Sequence, residues 1–428
     1  MFRSLAICAT LVFASACTED TPVAAAPDID SLVREYLFLE LSMGEHDKGH
    51  VDAYFGPDDI KADAVAQALS LDDILQQSKE LGTQFAAIDS SNNEDLANRL
   101  AGLIARLTAL QTRIAINKGE FMSFDDESRG LFGVTAPDYD AAHFDAILEE
   151  IDALLPGPEP LNERVAEFEA MFEIPKDKID AVIRAAMDEC RERTLEHMDL
   201  LDGESFDVEY VTDKPWSGYN WYQGNGHSLI QINTELPMYI TRAVDLGCHE
   251  GYPGHHTYNA LLEENLVNAR GWLEFSLYPL FSPQSLIAEG SGNYGQDLAF
   301  PGDERAEFEK AVLFPLAGLD VSDADRFYKL AALKARLNYA GNEAARDYLN
   351  GDIDADQAVA WLMQYALSTE EKSRQSIRFF DTYRSYVINY NFGKDMVREY
   401  IESGDADETE RWARFAEMLS NPLLPQDM

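Results

Sequence analysis

Apolar residues recur at steps of three and four along most of the chain, which predicts a mainly helical protein. Between residues 92 and 117 this spacing places six aliphatic side chains on one face: Leu96, Leu100, Leu103, Leu107, Leu110 and Ile114. Asn92 or Asn93 stands where the N-cap of that helix is expected, and Gly119 follows its end. The same periodicity predicts helices over 29–43, 139–154, 176–200, 303–317, 324–349, 355–367, 373–402 and 406–419.

The segment 204–233 departs from this pattern and predicts a small β-sheet. Apolar and acidic residues alternate over 206–212, as in a half-exposed strand. A loop rich in Gly, Trp and Tyr is predicted over 216–226, and a second strand over 227–232. We expect the second strand to form an edge, where an extended peptide can bind by main-chain hydrogen bonds.

The N-terminus carries the pattern of an export signal. Arg3 precedes a short apolar run over 5–13, and small residues then stand before Cys17. We predict a signal peptide over 1–16, followed by a lipidated Cys17 and a flexible tether over 17–28. The alternative is simple cleavage that leaves Cys17 as a free thiol. The predicted location is the periplasmic face of a bacterial membrane, with the lipid as the only membrane contact, or else a soluble periplasmic or secreted protein.

Composition narrows the range of partners. The chain has 34 Lys and Arg against 77 Asp and Glu, a formal net charge of −43. Nucleic acids and anionic membrane surfaces need local positive charge, so we expect neither as a partner. Cys190 and Cys248 are the two cysteines that follow the tether, and they can form one disulfide or remain buried thiols. We expect an N-terminal helical region over 29–203 and a catalytic region over 204–428, together forming one unit.

The chemistry concentrates in one short segment, His249-Glu250-Gly251-Tyr252-Pro253-Gly254-His255-His256, which holds three of the eight histidines. A zinc hydrolase needs imidazoles to hold the ion and a carboxylate to take a proton from water. In the H-E-x-x-H arrangement the second histidine follows the first by four residues on a helix, but Pro253 stands at that position here. Pro253 and Gly254 predict a kink that brings His255 to the metal, with His256 beside it or facing the substrate. The roles of the two histidines can be exchanged.

A third metal ligand is predicted at Glu289, an acidic residue within the small and apolar run 285–294. A buried carboxylate is costly unless it is paired or bound to a metal, although an exposed helical glutamate is the ordinary alternative. Asp245 lies one helical turn before His249, and Asn293 lies one turn after Glu289. Either side chain can hydrogen-bond the ligands from behind.

The two motifs, HEGYPGHH and the later AEGSGNYG, resemble the bacterial family called domain of unknown function 885. That family carries H-E-x-x-P-G-H-H and a later E-G segment, and the similarity covers residues 231–297. The resemblance implies a mostly helical, zincin-like metallohydrolase around a central cleft, often an exported lipoprotein. It implies that His249, one of the following histidines and Glu289 bind one Zn²⁺ ion, with Glu250 as the general base.

A later helical segment offers donors for the oxyanion that forms during attack on a carbonyl group. Tyr383, Arg384, Tyr386 and Tyr390 lie close together there, and we predict catalytic roles for Arg384 and Tyr390. The family pattern has P-G-Q where this chain has Arg384-Ser385-Tyr386.

These residues predict a zinc hydrolase that acts on a peptide or a small amide. Glu250 would take a proton from the attacking water and pass it to the leaving nitrogen, with His256, Tyr390 and Arg384 as further catalytic residues. Two alternatives remain: a non-catalytic lipoprotein that binds zinc or peptides, and an esterase or lactonase that uses the same water. Glu250 argues against the first, because a storage site needs no base.

Overall fold

A computed structural model describes residues 28–214 and 216–428 of the chain. The predicted signal peptide, Cys17 and tether therefore lie outside the described residues, except for residue 28. The mainly helical class is confirmed. The first eight helices are α1 Ile29–His46, α2 Asp58–Gln67, α3 Leu71–Ala86, α4 Glu94–Asn117, α5 Phe124–Phe132, α6 Ala141–Leu154, α7 Leu161–Glu169 and α8 Ile179–Leu195.

Along the described residues, eleven further helices follow α8, and four of the five strands also lie after α8. The helices are α9 Thr241–Leu246, α10 His255–Leu262, α11 Pro283–Ala299, α12 Glu304–Phe308, α13 Phe314–Ala317, α14 Ala324–Ala335, α15 Ala340–Asn350, α16 Ala355–Tyr365, α17 Glu370–Tyr383, α18 Ile388–Glu402 and α19 Glu408–Ser420. The strands of the chain are β1 Val51–Tyr54, β2 Ser205–Val211, β3 Gly218–Gly224, β4 His227–Asn233 and β5 Leu277–Pro279.

Two of the predicted helices are interrupted in the structure. The segment 324–349 divides into α14 and α15, and the segment 373–402 divides into α17 and α18 around a 3₁₀ turn, Arg384–Val387. Arg384 has a positive φ of 55°, which ends α17. The apolar periodicity continues across this break because residues of both helices, such as Phe380 and Ile388, pack into the same hydrophobic core.

The predicted sheet exists, but two of its details are wrong. Its strand order is β2-β4-β3, with β2 parallel and β3 antiparallel to β4. The segment 216–226 is mostly strand β3 rather than a loop, since Asn220, Tyr222 and Gly224 alternate inward with exposed neighbours. The strand at 227–232 is the centre of the sheet, so its main-chain groups pair with β2 and β3 and cannot receive a peptide.

A stripe of buried arginines on α4 holds the segment that leads to the candidate site. Arg99, Arg106 and Arg113 follow one another at intervals of seven and lie on one face of the helix. Each guanidinium packs over an aromatic ring, with carbon-to-centroid distances of 5.1 Å to Trp272, 4.3 Å to Phe275 and 3.6 Å to Phe281. Arg99 also donates two hydrogen bonds, of 2.6 and 2.9 Å, to the buried carboxylate of Glu274. These contacts fix the chain immediately before β5 and α11.

The largest hydrophobic core combines residues of both predicted regions. Ile183 of α8, Val244 of α9 and Phe415 of α19 belong to it, and all three are fully buried. A buried disulfide joins Cys190 of α8 to Cys248, which answers the question that the sequence left open. Helix α8 is thereby linked to the turn that follows α9.

Replacing Arg99 with Met should lower the free energy of unfolding by about 3 kcal/mol, because Glu274 would keep a buried charge without its partner. The matched control is Arg129→Met, which removes an exposed pair with Asp126 whose side chains are 58% and 64% accessible. That control should change the free energy by less than about 0.5 kcal/mol. Urea unfolding measures both values, and equal losses in the two variants would contradict the role given to the arginine stripe.

Candidate metal centre

The helix that carries the first histidine breaks where the sequence predicts. Helix α9 continues into a π-helical turn over Gly247–Gly251, and α10 begins at His255. Between them the Gly254 amide donates a 3.0 Å hydrogen bond to the Cys248 carbonyl. A Cβ atom at residue 254 would lie 1.9 Å from the His249 carbonyl oxygen, so only glycine permits this close approach.

The break brings His249 and His255 to the same carboxylate. The Nε2 atom of His249 lies 3.2 Å from Oε2 of Glu289, and Nε2 of His255 lies 3.8 Å from Oε1. The two imidazole centroids are 4.5 Å apart. One ligand atom from each of the three residues lies within 4.8 Å of the others. We call these three residues the His–His–Glu cluster.

Helix α11 positions the carboxylate of this cluster and also makes room for the first imidazole. A Cβ atom at Gly292 would lie 2.9 Å from Nδ1 of His249, so glycine at this position lets the ring pack against the helix. Tyr386, in the turn between α17 and α18, donates a 2.8 Å hydrogen bond to Oε1 of Glu289. The carboxylate is therefore oriented from behind by a buried phenol.

Glu289 and His255 are in the protonation states that bind a metal, whereas the surroundings of His249 favour its protonated form. Burial raises the pKa of Glu289, but the adjacent His249, the charge of His255 and the Tyr386 hydrogen bond bring it below its ordinary value. Burial and the charge of His249 lower the pKa of His255 to about 4, so its ring is neutral at pH 7. Burial lowers the pKa of His249, whereas Glu289 and Glu250 raise it further than burial lowers it. Neutral imidazole and ionised carboxylate are the forms that bind metal.

Two buried oxygen atoms support the fit of a cation to this cluster. Within the described part of the chain, Oε2 of Glu250 is buried and has no hydrogen-bond partner, and Oε2 of Glu289 is buried with Nε2 of His249 3.2 Å away but no well-formed hydrogen bond. An unpaired buried carboxylate oxygen is costly, and a cation is the partner that removes the cost. Two imidazoles and one carboxylate, with room for water, form a ligand set of catalytic zinc sites. The residues present therefore fit Zn²⁺.

Glu250 lies next to the cluster and is held through its backbone. Its carbonyl accepts a 2.7 Å hydrogen bond from Nδ2 of Asn220 on β3. Gly218, on the same strand, passes so close that a Cβ atom there would lie 2.6 Å from Oε1 of Glu250. Burial raises the pKa of Glu250 to about 7, while the charges of His249 and Arg242 oppose this rise and that of Glu289 adds to it. The side chain can therefore exchange a proton near neutral pH.

The structure does not support a catalytic role for His256, and it separates this residue from His255. The Nδ1 atom of His256 lies 2.8 Å from the Ser228 hydroxyl, and Nε2 lies 3.0 Å from Oε2 of Glu204. Both ring nitrogens are thus engaged in buried hydrogen bonds on the far side of α10. Adjacent helical residues point about 100° apart, which is why one histidine faces the cluster and the next faces the sheet.

Arg384 is paired with a carboxylate of another helix, whereas Tyr390 lies near the acidic residues of the site. The Nε atom of Arg384 donates a 2.6 Å hydrogen bond to Glu127, so the guanidinium holds α5 rather than an oxyanion. Burial raises the pKa of Tyr390, and the charges of Glu289 and Glu250 raise it further. Its phenol therefore stays protonated and lies within the field of both carboxylates.

The two polar residues expected behind the ligands make other contacts. Asp245 pairs with Arg305 at 2.8 Å and with Arg242 at 3.2 Å. Asn293 donates a 2.9 Å hydrogen bond to the backbone carbonyl of Tyr390. Asn293 thus positions the segment that carries a candidate catalytic phenol, and Asp245 fixes the orientation of α9.

Asp52 is a residue of this site that the sequence analysis missed. It lies on β1 and accepts a hydrogen bond from the Tyr219 hydroxyl. Burial raises the pKa of Asp52 to about 8, and the negative charges of Glu289 and Glu250 contribute to the rise. The pairing of β1 with β5 brings Asp52 here from a distant part of the chain. No motif or spacing in the sequence marks it.

We expect His255→Ala to lose the bound zinc, because one of three ligands is removed. His256→Ala should retain about one zinc per chain, although its loss of two buried hydrogen bonds should lower the stability by roughly 2 kcal/mol. Metal analysis of the purified, dialysed variants measures the difference. A His256→Ala protein without zinc beside a zinc-containing His255→Ala protein would reverse the assignment.

Asp52→Asn should change the pH dependence of stability in the zinc-free protein. The pKa of Asp52 in the folded state lies above the ordinary value of its unfolded form, so its stabilising contribution is present at low pH and is lost as pH rises through about 8. The variant should therefore gain stability over the wild type between pH 5 and pH 9, by at least about 1 kcal/mol. Urea unfolding with chelator at both pH values tests this, and a gain independent of pH would contradict it.

Sequence comparisons find no match for the chain, whereas structural comparison finds proteins with a similar fold. Neither a protein-family model nor a curated protein sequence matches the chain, so the resemblance to domain of unknown function 885 depends on the motif residues alone. The crystal structure of a "putative lipoprotein" from Colwellia psychrerythraea aligns with a TM-score of 0.51 and 17% identity, over 93% of this chain and 74% of that chain. Identity at this level shows a shared fold only.

Two other solved structures align less well. The structure of a "putative lipoprotein of unknown function" from Shewanella oneidensis has a TM-score of 0.48 and 14% identity, over 95% of this chain and 78% of that chain. The M32 carboxypeptidase from Deinococcus radiodurans R1 has a TM-score of 0.46 and 13% identity, over 93% and 92%. Both scores are too low to support an inference about activity. The chain thus shares its fold with the Colwellia protein, and only its own residues bear on its chemistry.

Proposed function

We propose that the protein is a zinc-dependent hydrolase that cleaves a peptide or small amide bond. The observation that carries the proposal is the His–His–Glu cluster with the buried carboxylate of Glu250 directly beside it. A purely structural metal site has four protein ligands and no adjacent base, whereas a catalytic site keeps a position open for water.

His249, His255 and Glu289 would hold the ion. When bound, Zn²⁺ supplies positive charge that makes water acidic near neutral pH and polarises a carbonyl group. The hydrogen bond from Tyr386 would keep Glu289 ionised and correctly oriented during turnover. The neutral state of His255 at pH 7 means that it can bind the ion without first losing a proton.

Glu250 would act as the general base and then as the general acid. Its carboxylate would accept a proton from the attacking water and deliver that proton to the leaving nitrogen. A pKa of about 7 suits both steps, because the group must take a proton and release it in each cycle. Burial maintains this value, since water cannot solvate the ionised form.

Tyr390 would donate a hydrogen bond to the oxyanion that forms on the substrate. Its phenol remains protonated because burial and the charges of Glu289 and Glu250 raise its pKa. The backbone of Tyr390 is fixed by Asn293, which lies one turn after Glu289 on α11. The proposed donor and the proposed ligand are therefore held by the same helix.

We further propose export and attachment to a membrane through lipid on Cys17. The signal pattern at the N-terminus supports this, and the Colwellia protein that shares the fold is called a "putative lipoprotein". No helix among the described residues is long and apolar enough to cross a membrane. The proposed substrates are peptides or small amides, and a net charge of −43 makes nucleic acids unfavourable partners.

Glu250→Gln should retain one zinc per chain and lose about 10³-fold in kcat, because the variant keeps its shape but cannot take a proton. A panel of peptides and matched esters, with mass-spectrometric detection of products, measures the loss. Glu408→Gln is the control, since that side chain is 64% accessible. Chelator should abolish the activity of the wild type, and added zinc should restore it.

Unchanged activity in Glu250→Gln would remove the proposed mechanism. Cleavage of the esters alone would replace the peptidase with an esterase that uses the same residues. Zinc binding by a wild-type protein that cleaves no member of the panel would favour the non-catalytic alternative.

A further inference from the structure

We propose that Asp52 and the aromatic residues around it bind a primary ammonium group of the substrate, beside the His–His–Glu cluster. This inference depends on the proposed function, because it names the substrate class of the same site. The group can be the α-amino group of a peptide or the side-chain ammonium of a lysine. Both present the same chemistry to the protein.

The fold connects Asp52 to the candidate metal centre through two of its strands. Asp52 lies on β1. The next residue, Ala53, pairs with Tyr278 of β5, and β5 is followed by α11, which carries Glu289. Tyr219 of β3 donates its hydroxyl hydrogen to Oδ1 of Asp52. One hydrogen bond therefore joins the acid to a strand that is itself in contact with the proposed base.

The contact between that strand and the base is close. Gly218 immediately precedes Tyr219, and a Cβ atom at Gly218 would lie 2.6 Å from Oε1 of Glu250. Asp52 is thus separated from Glu250 by one side chain and one backbone step.

The negative charges near Asp52 favour a cationic ligand. Asp52, Glu250 and Glu289 influence one another strongly enough that the charges of both glutamates raise the pKa of Asp52. A zinc ion at the His–His–Glu cluster would bring two positive charges to this group of three carboxylates, and an ammonium group beside Asp52 would add a third. Among the described residues, Oε2 of Glu250 is buried and has no hydrogen-bond partner, so this side of the site can accept a further hydrogen bond.

Aromatic side chains lie near Asp52. Tyr278 and Tyr383 both lie within the field of Asp52, whose charge raises the pKa of each. The Tyr219 ring packs beside Trp216 and Trp221, with centroid distances of 5.3 and 4.5 Å. A carboxylate attracts an ammonium group by charge, and an aromatic face within about 6 Å of the cation adds a cation–π attraction.

The test uses the zinc-loaded, full-length Glu250→Gln protein, which should bind peptides without cleaving them. Three equimolar tripeptide libraries serve as probes: free amines without Lys or Arg, N-acetylated peptides without Lys or Arg, and N-acetylated peptides that contain Lys. Mass spectrometry after ultrafiltration measures the fraction of each library that is retained. We expect at least tenfold enrichment of one ammonium-bearing library over the acetylated library that lacks Lys, and the enriched library identifies the source.

The same measurement on Asp52→Asn in the Glu250→Gln background should abolish the enrichment. Asparagine keeps the shape of the side chain and can still accept the hydrogen bond from Tyr219, so the change removes charge alone. Asp207→Asn is the matched control, because that carboxylate is 80% accessible on β2, and it should leave the enrichment unchanged. Ethylammonium chloride should reduce the enrichment more than sodium chloride at equal ionic strength, a result that needs no variant to fold.

Absence of enrichment, or enrichment that persists in Asp52→Asn, would overturn the inference. Failure of the proposed function looks different. If the wild type cleaves no peptide or ester but the enrichment depends on Asp52, the ammonium site stands and the catalytic proposal falls. If the wild type cleaves peptides but the libraries show no enrichment, the catalytic proposal stands and the ammonium site falls.

Discussion

The buried carboxylate of Glu289 is the group on which the arrangement of the candidate site depends. An ionised carboxylate at this depth is unfavourable unless other groups compensate its charge. The fold provides them from three directions: the two sides of the broken helix supply His249 and His255, and the turn after α17 supplies Tyr386. The arginine stripe of α4 contributes indirectly, because it fixes the segment of chain that leads into α11 and Glu289.

His256 has a different importance from the one that its position in the motif suggests. Helix α10 follows a break, so its first turn lacks the continuous backbone hydrogen bonds that would otherwise orient it. The hydrogen bonds of His256 to Ser228 and Glu204 attach this first turn to the sheet. Glu204 also accepts a hydrogen bond from Tyr252 and pairs with Arg191 of α8. The second histidine of the pair thus holds the first in place.

The sequence predicts those features that follow from local covalent geometry and misses those that depend on packing. Pro253 cannot continue the helical hydrogen bonds and Gly254 permits the backbone conformation of a break, so the kink before His255 is foreseeable, as are the helices with strong apolar periodicity. The choice between His255 and His256 depends on the rotation of α10, which the sheet decides. Strand β3 looks like a loop because its glycines and polar residues hide the alternation. Asp52 reaches the site only through the pairing of β1 with β5, which leaves no trace in the local sequence.

The disulfide between Cys190 and Cys248 has a consequence for how the centre matures. Cys248 immediately precedes His249, and in the reduced chain its thiolate would be a softer and stronger zinc ligand than the imidazoles. A chain that meets zinc before its thiols are oxidised therefore has a competing way to capture the ion with the wrong atoms. In the disulfide neither sulfur is a thiolate, so neither competes with the imidazoles for a metal ion. An oxidising compartment favours this bond and a reducing cytoplasm does not.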